Sequence, residues 1–142
     1  MEPVRVVLDT NVIYAALYSP HGASHALVKL VGDGVVIPCI SVTLVLEYKE
    51  VLTRQKKILQ LSHDDIHTYL GFFVRQSERT TIYYLWRPCL KDPKDDMVLE
   101  VAVTAGVQFI VTHNIKDFKG SEQFGVRVVT PGWFIKNIGG MK

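Results

Sequence analysis

The stretch Val4–Asn11 (VRVVLDTN) constrains most strongly how this chain can fold. It begins with an almost wholly apolar run, Val4–Leu8, and passes directly into the polar residues Asp9–Asn11. A short apolar run of this kind is typical of a strand buried on both faces of a parallel sheet. The helical pattern of residues 12–17 follows at once, so the polar residues lie between a strand end and a helix start. Open α/β sheets bind their ligands at this position.

Asp9 has two interpretations at this stage. A carboxylate at a buried strand end is costly unless it is paired, hydrogen-bonded or bound to a cation, which favours a functional role. The same residue types also cap the N-termini of helices, a role that requires no function. The first stretch alone leaves both interpretations open, and the later acidic positions favour the functional one.

The composition predicts one folded domain. A chain of 142 residues with 48% hydrophobic and 21% charged residues can bury a core and is not expected to be disordered. The net charge of +2 neither requires nor excludes a nucleic-acid partner. Cys39 and Cys89 form no disulfide or metal-ligand framework and predict free thiols in a reducing cytoplasm. No signal peptide and no membrane span are expected.

Strand and helix patterns alternate along the chain. Alternation of this kind predicts a parallel sheet with right-handed crossovers. Pro38 suggests that the second strand lies at an edge or contains a bulge. A polar loop is expected before a helix at Met97–Ala105, because residues 90–96 are polar and contain a proline. The predicted strands cover residues 4–8, 35–40, 81–85, 109–112 and 126–129.

Polar clusters recur near the ends of these elements. If the strands that precede Asp9 and Thr112 are neighbours, their clusters share one crevice at the carboxyl edge of the sheet. Several carboxylates in one crevice require a divalent cation or raised pKa values. Oxygen ligands without clustered His or Cys favour Mg²⁺ or Mn²⁺, which suit phosphodiester hydrolysis. The clusters are Asp9–Asn11, Glu47, Asp95–Asp96 and Asn114–Asp117.

Each of these features also has a purely structural interpretation. Asp95 and Asp96 are favourable charges at a helix N-terminus. Asp117 can cap the turn after the fourth strand, and Asp92 before Pro93 can form a turn. A set of basic residues could line a phosphate-binding groove or simply form a solvated face. This basic set comprises Lys49, Arg54, Lys56, Lys57 and Arg87.

Four segments, in this order and spacing, resemble the PIN-domain ribonucleases, and most closely their VapC-like branch, the toxins of toxin–antitoxin pairs. They are residues 6–12 (VVLDTNV), 47–52 (EYKEVL), 92–96 (DPKDD) and 110–118 (IVTHNIKDF). The resemblance covers Val4 to about Ile138. It implies a single PIN-like domain over residues 1–142, built as a three-layer α/β/α sandwich with a central parallel sheet of about five strands. It also implies a Mg²⁺- or Mn²⁺-dependent endoribonuclease.

The resemblance implies an acidic site. Asp9 matches the first metal ligand of the family and Glu47 the acid in the middle of a helix. Asp96 is the first choice for the third ligand, with Asp95 a near-equal candidate because the helix start is uncertain by one residue. Asp117 would supply the carboxylate that many relatives carry two residues after Thr112, where this chain has an amide.

The resemblance also implies supporting residues and partners. Asn11 would anchor the backbone of the site, while Thr112 and Asn114 would orient water or phosphate. The implied partners are an RNA substrate, an antitoxin protein and a second copy of the chain. Two other functions stay open. Asn114 in place of a carboxylate favours a non-catalytic RNA- or protein-binding module. A phosphotransfer enzyme with Asp9 as its nucleophile is weakened by Asn11, which stands where a second Asp is usual.

Overall fold

The protein is described here from a computed structural model, which covers residues 2–82 and 90–138. The strands are β1 (Val4–Leu8), β2 (Val36–Ile40), β3 (Glu78–Arg79), β4 (Phe109–Val111) and β5 (Arg127–Val129). The helices are α1 (Thr10–Tyr18), α2 (Ala23–Gly32), α3 (Val42–Arg54), α4 (Lys56–Leu59), α5 (His63–Arg75), α6 (Pro93–Ala105) and α7 (Pro131–Asn137). Two short 3₁₀ helices, Ile115–Phe118 and Ser121–Phe124, follow β4.

The strands form one parallel sheet in the order β3-β2-β1-β4-β5. This arrangement confirms the predicted α/β/α sandwich with five parallel strands. β1 lies at the centre, and Leu8 is in register with Val111 of β4. Asp9 and Thr112 therefore leave adjacent strands at the same edge of the sheet. This adjacency was the condition on which the sequence placed their clusters in one crevice.

The core explains why β1 has an apolar sequence. Val6, Val7 and Leu8 are all inaccessible to solvent, so successive side chains on both faces of the strand are covered. This pattern confirms a strand buried on both faces, for which an unbroken apolar run is required. Within the described ranges, no helix is long and apolar enough to cross a membrane.

The prediction of a polar loop over residues 90–96 is wrong for residues 93–96, because α6 begins at Pro93. The Oδ1 atom of Asp92 accepts a hydrogen bond from the backbone N–H of Lys94 at 2.9 Å, which caps the helix. Proline is well suited to the first helical position, since its missing N–H has no intrahelical partner there. Asp95 and Asp96 therefore lie in the first turn, where negative charge is favourable.

The third strand also differs from its prediction. It comprises Glu78 and Arg79, which pair with the end of β2, while Thr81 and Ile82 lie outside it. The remainder of the predicted strand, residues 83–85, lies outside the described residues, as do Arg87 and Cys89. An ion pair between Arg5 and Glu78 links β1 to β3 at 2.6 Å. Pairing with β2 thus defines the strand at Glu78 and Arg79.

Pro38 lies in a strand that is interior to the sheet, so an edge position for β2 as a whole is wrong. Its register partner on β1 is Val6. On the other side, β3 pairs only with Cys39 and Ile40. Within the described residues, no strand pairs with Pro38 on the side away from β1. A residue without a backbone N–H is therefore tolerated at this position.

Tyr48 of α3 connects this helix to the end of β1. Its buried hydroxyl donates to the carbonyl oxygen of Leu8, the residue before Asp9, at 2.5 Å. We expect Tyr48→Phe to lower the free energy of unfolding by about 1–2 kcal/mol, because a buried carbonyl loses a donor. Urea denaturation measures the loss, and Tyr18→Phe, at an exposed ring, is the control. An unchanged midpoint for Tyr48→Phe would contradict the proposed contact.

Candidate active site

Asp9 lies at the centre of the candidate site. It is the N-cap of α1, and its side-chain Oδ1 accepts from the backbone N–H of Thr10 at 2.8 Å. The Oδ2 atom accepts from the hydroxyl of Thr112 at 2.8 Å and from the amide of Asn11 at 3.3 Å. The side chain is only 9% exposed. Capping is therefore present, but the second carboxylate oxygen is directed to β4, which capping does not require.

The segments after β1 and β4 are joined by side-chain hydrogen bonds. The Oδ1 atom of Asn11 accepts from the backbone N–H of His113 at 3.2 Å, and its amide donates to the hydroxyl oxygen of Thr112 at 3.3 Å. That hydroxyl oxygen also accepts from the backbone N–H of Asn114 at 3.0 Å. Asn11 thus contacts the backbone as an anchoring residue would, and Thr112 fixes the orientation of Asp9.

Burial and neighbouring charge both act on Asp9. Burial raises the pKa of its carboxyl, and the charges of Asp117 and Glu47 raise it further. The hydrogen bonds from Thr112 and Thr10 oppose this increase, because they stabilise the charged form. Carboxylates from α3 and from the 3₁₀ helix after β4 are therefore close enough to Asp9 to perturb it.

Asp95 is more strongly perturbed than Asp9. Burial, followed by the charges of Asp9, Asp92 and Asp117, raises its pKa to about 7. Asp95 and Asp117 also line one cavity of about 510 Å³ at the start of α6. The first turn of α6 thus directs Asp95 toward the same acidic crevice as Asp9.

Asp96 has a different environment from its neighbour. Its side chain is inaccessible to solvent, and its Oδ1 accepts from the backbone N–H of Leu90 at 2.8 Å. This contact holds the segment before α6 against the helix. Glu100, one turn further along α6, is also buried, at 2% exposed, and was not among the site residues predicted from the sequence. Its spacing of four residues from Asp96 was the available signal, since such residues share a helix face.

Glu47 is a buried acid with a cationic partner. Its side chain is 9% exposed, and its Oε1 lies 3.6 Å from the ammonium group of Lys94, which is half exposed. Lys94 was not among the site residues predicted from the sequence. The available signal was a lysine among the acids of the segment DPKDD, which places a cation beside the site.

The acidic residues share oxygen-ligand chemistry, but they are not assembled as a closed metal centre. Among the described residues, no group of three or more His, Cys, Asp or Glu is arranged to hold a metal ion. Asp117 and Asn114 are both exposed on the segment after β4. Neighbouring carboxylates nevertheless raise the pKa values of Asp9 and Asp95, and oxygen ligands of this charge suit a hard divalent ion.

The architecture is that of an α/β/α protein with an acidic crevice at the carboxyl edge of its sheet. The chain matches the family described as PIN domain over residues 5–116, which is more than half of its length, and it belongs to that family. PIN domains are typically nucleases and generally bind divalent metals. The matched range includes Asp9, Glu47 and Asp95, and it ends one residue before Asp117. No curated protein matches the chain.

Proposed function

We propose that this protein is a metal-dependent endoribonuclease that hydrolyses RNA phosphodiester bonds. The observation that carries the proposal is the electrostatic coupling of Asp9 to carboxylates on three other chain segments. A structural cap would need none of these neighbours. Neighbouring carboxylates that raise the pKa values of Asp9 and Asp95 favour a cation in the crevice, because the cation removes their repulsion.

The ligands that we propose are Asp9, Asp95 and Glu47, with Asp117 completing the acidic set. Asp95 replaces Asp96, the first choice from sequence, because the Asp96 carboxylate already accepts from the backbone of Leu90. Oxygen ligands favour Mg²⁺ or Mn²⁺. Such an ion supplies a water of lowered pKa and charge stabilisation at the phosphate.

The chain's own residues hold this arrangement in place. Thr112 and the backbone of Thr10 donate to different oxygens of Asp9 and so fix the plane of its carboxylate. Tyr48 holds the preceding carbonyl, and Asn11 holds the loop after β4. Groups of this kind orient metal ligands and are expected to affect metal affinity without touching the ion.

The biological setting that we propose is that of a toxin paired with an antitoxin in the cytoplasm, acting as a homodimer. The toxin role and the antitoxin are supported by the sequence resemblance to VapC-like proteins. Val42 and Leu46 of α3, which are 77% and 58% exposed, offer apolar surface for a dimer contact. Light scattering after size exclusion measures the oligomeric state directly.

The test of the proposed activity uses purified protein and a labelled single-stranded RNA. With Mn²⁺ or Mg²⁺ we expect cleavage, and with excess EDTA we expect none, because in the proposed reaction the bound ion activates the attacking water. Readdition of Mn²⁺ should restore the rate. Cleavage that persists at full rate in EDTA would overturn the metal dependence.

A non-catalytic RNA- or protein-binding module is the second candidate. Two observations favour it: an amide at Asn114 where many relatives carry a carboxylate, and the absence, among the residues described, of a closed group of metal ligands. Such a module would bind RNA without turnover and without micromolar-to-millimolar affinity for Mn²⁺. Calorimetric titration with Mn²⁺ together with the cleavage assay separates the two candidates.

A further inference from the structure

Three lysines line the same cavity as two carboxylates of the candidate active site. Lys91 lies just before the start of α6, and Lys116 and Lys119 belong to the 3₁₀ helix after β4 and its end. Asp95 and Asp117 face this cavity of about 510 Å³, which is within the usual range for ligand sites. Cations from two separate segments therefore surround an opening that contains acidic residues.

These lysines line the cavity without being ion-paired, unlike three other cations of the described chain. Arg5 pairs with Glu78, Arg54 with Glu50 and Lys94 with Glu47. Lys91, Lys116 and Lys119 form no ion pair within the described residues, although carboxylates line the same cavity, and all three are exposed. Their ammonium groups are thus available to an anionic ligand.

We propose that these three lysines, the cleft lysines, bind backbone phosphates of a single-stranded RNA beside the bond that is cut. This inference rests on the proposed function, since a strand cut at the acidic crevice must pass through the cavity that Asp95 and Asp117 line. Ammonium groups bind phosphates as point charges and need no sequence information. The cleft lysines would offset the repulsion between the RNA and the carboxylates.

The test measures binding separately from cleavage. A fluorescent single-stranded RNA is titrated with the full chain in EDTA, by anisotropy, at several salt concentrations. The variant carries Lys91→Met, Lys116→Met and Lys119→Met together. The matched control carries Lys29→Met, Arg75→Met and Lys136→Met, which makes the same charge change at exposed positions on three different helices.

For the cleft variant we expect at least a tenfold weaker affinity at about 100 mM salt. We also expect a salt-dependence slope smaller by about 2, because each lost phosphate contact of a single strand contributes about 0.7. The control should keep most of the affinity and slope. Equal losses in both variants, or no loss in the cleft variant, would overturn the inference. Dependence on these lysines for a poly-glutamate peptide but not for RNA would also overturn it, in favour of an acidic protein partner.

The binding test of the cleft lysines gives an answer whether or not the protein is an enzyme. If RNA binding depends on the cleft lysines and no cleavage occurs with Mn²⁺, the nuclease proposal fails and the phosphate site stands. If Mn²⁺-dependent cleavage occurs and the cleft variant binds and cleaves like the parent, the phosphate site fails and the nuclease stands. The two results come from separate measurements on the same proteins.

Discussion

Asp9→Asn is expected to reduce Mn²⁺-dependent RNA cleavage by roughly 100-fold or more, the scale on which a group that stabilises developing charge acts. The substitution keeps the size of the side chain and removes its charge. The amide has one acceptor oxygen where the carboxylate uses two, for Thr10 and Thr112. The variant therefore loses the charge that would bind a metal ion and at least one of the three hydrogen bonds that Asp9 accepts from Thr10, Thr112 and Asn11.

The control for this experiment is Asp64→Asn, an identical change at an exposed position in the first turn of α5. Its cleavage rate should match that of the parent. Far-UV circular dichroism and thermal unfolding confirm that Asp9→Asn remains folded. A folded Asp9→Asn protein that cleaves as fast as the parent would eliminate Asp9 as a ligand and, with it, the nuclease proposal.

The position of Asp9 could be predicted from sequence because it depends on a strong local pattern. An apolar strand that runs directly into a polar helix start places Asp9 at the carboxyl edge of the sheet. The adjacency of β1 and β4 was only a condition of the prediction, and the register of the sheet confirms it. The hydrogen bond between Thr112 and Asp9 spans about a hundred residues, yet it requires only that two neighbouring strands end at the same level.

The choice between Asp95 and Asp96 could not be made in the same way. Successive side chains on a helix differ by about 100° in direction. When the predicted helix start is wrong by a few residues, the sequence cannot tell which of Asp95 and Asp96 points toward the crevice. The prediction placed the start near Met97, whereas the cap at Asp92 places it at Pro93. The contact between Lys94 and Glu47 and the shared cavity of the cleft lysines likewise depend on tertiary packing between distant segments.

The same substitution, Asp to Asn, is expected to have different effects at Asp95 and at Asp96. Asp95→Asn should lower cleavage by roughly 100-fold, because it removes a proposed ligand in the crevice. Asp96→Asn should lower the free energy of unfolding by about 1–2 kcal/mol, because a charge-assisted bond to the backbone N–H of Leu90 becomes a neutral one at a buried site. Cleavage rates and urea midpoints for both variants give the comparison.

The pH dependence of Asp95→Asn provides a second, metal-free measurement. The folded-state pKa of Asp95 is about 7, above its ordinary value of 3.8. The folded protein therefore binds the extra proton between these values, and its stability falls as the pH rises through this window. Removal of the charge should leave the Tm in EDTA nearly unchanged near pH 4 and raise it above pH 7, by about 3 °C once solvent screening is allowed for.

The combination of the two measurements identifies the third acidic residue of the site. A residue that holds a cation is electrostatically unfavourable in the metal-free protein, so its loss stabilises the fold while it abolishes the activity. A residue that holds the backbone has the opposite effect, since its loss weakens the fold and affects cleavage only through that weakening. The opposite result would be loss of cleavage in Asp96→Asn at unchanged stability, with normal cleavage by Asp95→Asn. In that case Asp96, and not Asp95, is the residue of α6 that holds the metal ion in the crevice.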